Sequence, residues 1–356
     1  MITLSFMNYG LVVKANNNSN IILNEVATVE VPGILFDVAL ENNYAYLAEY
    51  SRSKFHIINI TDPFEPSNIK NFPVNLPHYI DVQDGIAYIS AWTEGVQIYN
   101  VSNPFISYKI SEFRPGTVAA LMVQGDLLFV GSDYGFNILD ITNPAIPQNL
   151  SYFFTDGNTH DFFVVENLLY AMAWNWTSES SWIRVIDFTN PEYPIEVGHF
   201  DLESDCYDIH VLGDYVYVAA SYDGIKIINF KSMENPYFES SLDLPGRAFA
   251  LEVYNNALYL GNGYSGLHVI DVSDVTSPYE ITYLFTGGYA EELEIRDDFI
   301  YIAVENLGLK IIQIQENKTT NNASFNSFES VLVIFVIFTF SKILRSLLYR
   351  TSRWKK

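Results

Sequence analysis

Short apolar runs separated by polar turns recur seven times along this chain. The first run of each repeat centres on an aromatic: Ala45-Tyr46-Leu47, Ala87-Tyr88-Ile89, Leu128-Phe129-Val130, Leu169-Tyr170-Ala171, Val216-Tyr217-Val218, Leu258-Tyr259-Leu260 and Ile300-Tyr301-Ile302. Their central aromatics are 42, 41, 41, 47, 42 and 42 residues apart. Short apolar runs bounded by turns read as strands, and a fixed period of roughly 40–45 residues marks a β-propeller with one repeat per blade.

The second run of each repeat is more continuously apolar, as in Ile57-Ile58-Asn59-Ile60 and Val269-Ile270-Asp271-Val272. This fits strands covered on both faces by neighbouring blades. A glycine opens the turn before most of them (Gly95, Gly135, Gly224, Gly266, Gly308), where a hairpin needs positive φ. Asx-Pro or Ser-Pro follows them, as at Asp62-Pro63, Asn103-Pro104 and Ser277-Pro278. There the side chain closes an Asx-turn and proline ends the ladder. A more polar rim strand comes next, for example Ile195 to Phe200. The seventh repeat stops near Glu316 without one, and Val26 to Val31 is expected to supply it. Ring closure by the N-terminal strand removes the open sheet edge.

These repeats resemble the LVIVD repeat family. The resemblance rests on Ile57-Ile58-Asn59-Ile60, Val185-Ile186-Asp187-Phe188 and Val269-Ile270-Asp271-Val272, each followed by Asn/Asp/Ser-Pro. The seventh repeat departs from the pattern, with Gln313 and no following proline. The resemblance implies a propeller from a group of bacterial and archaeal proteins that are often secreted or surface-anchored. It implies no reaction.

Of 356 residues, 15% are aromatic and the formal net charge is −23. The last 15 residues hold six basic side chains and no acid, so the rest of the chain is more acidic still. Such a surface repels phosphate backbones and excludes nucleic acid as a partner. The single cysteine, Cys206, rules out an intrachain disulfide and a thiolate metal cluster, and reads as a small buried hydrophobe.

The organisation expected is a leader and linker over 1–23, a propeller over 24–316, a polar linker over 317–328, an anchor over 329–348 and a basic tail over 349–356. Val13-Lys14-Ala15 fits a signal-peptide cleavage site, though no basic segment precedes it, which leaves an unstructured leader as the alternative. The anchor centres on Val331, Leu332, Ile334, Phe335, Ile337 and Phe338. Its uncharged core is shorter than the ~20 residues a span needs, so spanning requires Lys342 and Arg345 to snorkel. The alternative is an amphipathic helix lying in the interface. Basic residues beyond the segment put the C-terminus in the cytoplasm and the propeller outside, on a single-pass membrane protein. Sequons at Asn17, Asn59, Asn100, Asn149, Asn175, Asn317 and Asn322 are compatible with an extracellular glycoprotein. At Asn59 and Asn100 the repeat's own turn already explains the asparagine.

Nine residues before each landmark aromatic stand Asp37, Tyr79, Ala120, Asp161, Asp208, Ala250 and Glu292. If this column faces the channel, Asp161 with Asp208 and Glu292 with Asp37 lie on adjacent blades. Such carboxylates satisfy backbone N–H groups or face water, bind Ca²⁺, or supply a general acid. His78 and His160 precede the column by one residue, on blades two apart, which argues against a shared metal. No zinc spacing, nucleophile elbow or phosphate loop occurs. The fourth repeat carries extra residues that include Trp174, Trp176 and Trp182. Either this is an exposed recognition loop, or Trp174 and Trp182 are packed strand ends. The expected function is a non-catalytic surface module that binds a protein or a glycan and needs no cofactor. The alternatives are a divalent-cation-dependent enzyme and a structural envelope component.

Overall fold

The computed structural model describes residues 21–316 except 176, 178 and 179. They form seven four-stranded antiparallel sheets. The inner strands are Leu35–Glu41, Ile80–Gln83, Ala120–Gln124, Asn158–Val165, Asp208–Leu212, Ala250–Tyr254 and Ala290–Arg296. Each contacts the next, and the last contacts the first, so the sheets close into a ring around a central channel.

Closure follows the expected route. The N-terminal strand Ile21–Glu30 is the outer strand of the seventh blade and pairs with Gly308–Glu316, with Ile21 opposite Glu316 and Glu30 opposite Gly308. It begins before the expected Val26, so Ile21, Ile22 and Leu23 belong to the propeller and not to a linker. A β-bulge separates the third and outer strands of every other blade, as at Ile57/Ile58 and Val269/Ile270. The N-terminal strand has its own bulge at the matching place, between Glu25 and Ala27. It therefore reproduces the local twist of an ordinary outer strand. Gly308 turns into this pairing with φ of 107°, and a Cβ there would strike the Val29 carbonyl oxygen.

All seven landmark aromatics are buried. The apolar clusters span blade junctions: Tyr217, Ile225 and Ile227 pack with Leu251, Leu258 and Ile270, and Val29 and Val31 pack with Leu35 and Leu47. Burial on both sheet faces explains why the third strands read as unbroken apolar runs. Among the described residues no helix is long and apolar enough to cross a membrane. The expected leader, Asn17, Trp176, Asn317, Asn322 and the anchor over 329–348 lie outside the described residues.

Candidate functional site

The inner strand of each blade is a sheet edge, and its outward N–H groups face the neighbouring blade across a gap. Buried backbone donors need partners. The chain supplies them with carboxylates. Asp37 Oδ2 accepts the Ile80 N–H of the next blade at 2.6 Å, Asp161 Oδ2 that of Ile209 at 2.7 Å and Asp208 Oδ2 that of Leu251 at 2.5 Å. Two residues further along the strand a second tier repeats the contact. Asp81 accepts from Val123 at 2.7 Å, Glu252 from Ile295 at 2.7 Å and Glu294 from Leu40. Among the described residues, six of the seven junctions are bridged in this way. The third blade, whose inner strand Ala120–Gln124 has no acid, is the exception. In both tiers the donor N–H stands one position further along its strand than the acid does on its own, so a single geometry accounts for all six.

Three of the acidic positions picked out by the repeat alignment thus hold blades together. Glu292 differs. Its Oε1 accepts only the N–H of Leu293 in its own strand, at 3.0 Å. Asp37, Asp161, Asp208 and Glu292 nevertheless line one cavity of about 300 Å³ at the channel mouth, together with His78 and Tyr79. Burial, followed by mutual repulsion, pushes the carboxyls of Asp37, Asp208 and Glu292 well above the usual range. Asp161 rises to about 6, chiefly through burial, against a hydrogen bond with Asp208 that favours its charged form. The same contact raises Asp208. Among the described residues no three His, Cys, Asp or Glu side chains are grouped to hold a metal ion.

The cavity opens on the face that carries the blade-to-blade links and the turns between second and third strands. The residue before the acidic column contributes a second ring: Phe36, His78, His160, Tyr207, Phe249 and Glu291. Sequence reasoning singled out only the two histidines. Aligning this column as well would have revealed the aromatics. His78 is stacked on Phe36 at 4.6 Å and flanked by Trp92 at 4.6 Å and Tyr50 at 4.8 Å, and burial lowers it to about 4. His160 is likewise lowered to about 4 by burial and bonds the Tyr207 backbone, so the two histidines do not converge.

Arg247 organises the opposite wall. Its guanidinium lies 4.8 Å from the Tyr207 ring centre and 4.6 Å from that of Phe249, with Tyr222 at 5.5 Å. It also donates to the Tyr207 hydroxyl and to Ser221 Oγ. Phe249 meets Tyr289 edge-on at 5.1 Å, and Tyr289 meets Tyr264 at 4.7 Å. Tyr222 and Tyr264 are 72% and 69% exposed, so this ladder ends in open aromatic faces. Beside it, a groove of about 420 Å³ runs between the fourth and fifth blades, lined by Trp174, Ser204, Asp205, Ser221, Tyr222 and Asp223.

The tryptophan segment is an extended hairpin, Leu168–Asn175 and Ser180–Asp187, rather than a loop. Trp182 is buried against Gly157, while Trp174 is half-buried and borders the groove. Asn59 and Asn100 accept the N–H and hydroxyl of Thr61 and Ser102, as Asp140, Asp187 and Asp271 do with their own partners. The turn explains the residue type. Asn149 bonds Asn137, and Asn175 donates to the Asp156 carbonyl. Cys206 is buried, and its thiol is pushed up to about 11 by that burial.

Comparison with solved structures shows the same fold at low identity. The computationally designed Ika8 protein matches with a TM-score of 0.58 and 11% identity, covering 81% of this chain and 99% of that one. Kuenenia stuttgartiensis hydrazine synthase matches with a TM-score of 0.67 and 13% identity, covering 81% and 97%. No curated protein matches the chain. The LVIVD repeat model matches residues 32–72, 115–154, 204–229, 245–286 and 287–332. It skips the second and fourth blades, which carry His78, Tyr79, Trp92 and the extended hairpin. With more than half of its length matched, this seven-bladed propeller belongs to the LVIVD repeat family.

Proposed function

We propose that the protein is a non-catalytic glycan-binding module of the cell surface, held by the segment 329–348 and binding through the loop face of its propeller. One observation carries the reading: an acidic, aromatic cavity and a polar groove edged by Trp174 and Tyr222 open side by side on the same face. Aromatic faces stack against the C–H faces of sugars, while Ser204, Asp205 and Asp223 offer hydroxyl-matching groups. Bound loops on a rigid disc suit recognition. Strand Gly308–Glu316 runs away from the loop face, so the chain leaves the propeller on the side opposite the cavity.

The test is glycan-array capture by the full chain in detergent, comparing Tyr222→Ala/Tyr264→Ala with Phe105→Ala/Tyr193→Ala. Phe105 and Tyr193 are equally exposed but lie in turns on the opposite face. Loss of capture in the first variant alone is expected. Equal loss in both, or in neither, refutes the assignment of the face.

A further inference from the structure

We propose that the axial cavity is a subsite for a small organic amine bound as its ammonium ion. This rests on the loop face being the binding face and names the chemistry of its deepest part.

The lining is rich in acceptors and poor in donors. Asp37, Asp161 and Asp208 each spend lone pairs on backbone N–H groups, yet a carboxylate offers about four acceptor sites. Glu292 meets a single N–H. Glu291 adds a fifth carboxyl, and no lysine or arginine lines the cavity. The nearest guanidinium, Arg247, is already engaged by Ser221, the Tyr207 hydroxyl and three aromatic rings.

A second observation is independent of the acids. Tyr79 takes the acidic column's place on the second blade, and its hydroxyl points into the field of Asp37, Asp161, Asp208 and Glu292. Among the described residues that hydroxyl has no hydrogen-bond partner. A tyrosine hydroxyl set among carboxylates, yet bonded to none of them, leaves room between them for a donor-rich group. The walls are the rings of Phe36, His78, Tyr79, Tyr207 and Phe249. Negative ring faces and carboxylates around one space attract a cation, and aromatic walls favour an organic one over a hydrated metal. Arg247 shows the same protein rings accepting a cation from outside the cavity. A volume of about 300 Å³ is at the lower end for ligand pockets and suits a small molecule. Entry of a cation favours the charged form of the lining carboxyls, which burial holds above their usual range, so binding releases protons to solvent.

Titration calorimetry on the full chain in detergent at pH 7 tests this with two matched pairs: putrescine against 1,4-butanediol, and glucosamine against N-acetylglucosamine. At least one ammonium probe should bind, at least tenfold more tightly than its neutral partner. Its apparent heat should change with the ionisation heat of the buffer, reporting proton release. The tighter of putrescine and glucosamine identifies a free amine or an amino sugar as the source. Glu292→Gln, which breaks no inter-blade contact, should weaken binding at least tenfold with a melting temperature at pH 7 that does not fall, since the amide removes a buried acid held above its usual range. Tyr79→Phe should weaken it while leaving the charge intact. Neutral probes binding as well as their charged partners, or no binding of either ammonium probe, overturns the proposal. If glycan capture through Tyr222 and Tyr264 persists in that case, the loop face remains the binding face and only the cation subsite is lost.

Discussion

Replacing Asp81 by asparagine separates the two things its carboxylate does at the junction of the second and third blades. It accepts the N–H of Val82 in its own strand and of Val123 in the next blade, both at 2.7 Å. An amide oxygen can keep one of these bonds, while the NH₂ group then faces the other N–H. A buried donor left unpaired costs about 1–3 kcal/mol, so at pH 4 the variant should be less stable by that amount. At higher pH a second effect appears. Burial raises the Asp81 carboxyl from 3.8 to about 6. The folded state thus holds the proton more tightly than the unfolded chain. The stability this confers is fully present below the unfolded value and is lost as pH rises through about 6. A shift of roughly two units corresponds to about 3 kcal/mol that the wild type loses and asparagine does not. The stability difference should therefore swing by about 2–3 kcal/mol in favour of Asp81→Asn between pH 4 and pH 7.5. Urea unfolding of the full chain in detergent at both pH values measures it, from midpoints at constant m. A difference that stays level to within about 0.5 kcal/mol would refute the account of buried, proton-holding blade bridges.

Two further outcomes follow from the same geometry. Gly308→Ala should lower stability by about 2 kcal/mol or more, because positive φ and the Val29 carbonyl oxygen both oppose a side chain where the ring closes; an unchanged melting temperature would refute this. Cys206 should react with a disulfide reagent on the order of 100-fold more slowly in the native protein than in urea, and rapid native labelling would contradict its burial and raised pKa.

Most of the architecture was legible in the residue pattern, because each blade repeats the same local problem. Alternating turn residues and apolar runs, the glycine before the third strand and the Asx-turn after it depend on neighbours within one repeat. Even closure could be read, since the seventh repeat lacked an outer strand and the N-terminus held a matching one. The start of that strand was less clear. Ile21 to Leu23 follow a run of asparagines and resemble a linker until their pairing with Ile314 to Glu316 is seen.

The candidate site was read only in part. The acidic column was correctly aligned, and its members do meet around one cavity. What they do there was open, because Asp37, Asp161 and Asp208 each accept a backbone N–H more than 40 residues away on another blade. Backbone groups leave no mark in sequence. The same limit hid Arg247, Tyr207 and Phe249, whose stacking depends on how links from two blades cross above the channel. The tryptophan segment turned on a comparable point: only strand register shows that Trp182 faces inward.

The chain's composition and period by themselves determined a seven-bladed, closed, strongly acidic propeller, since these follow from local propensity and repetition. Tertiary structure alone decided which acids bridge blades and which column acid, Glu292, lines the cavity without bridging. That distinction depends on distances between strands far apart in sequence, and it separates residues that build the ring from those able to bind within it.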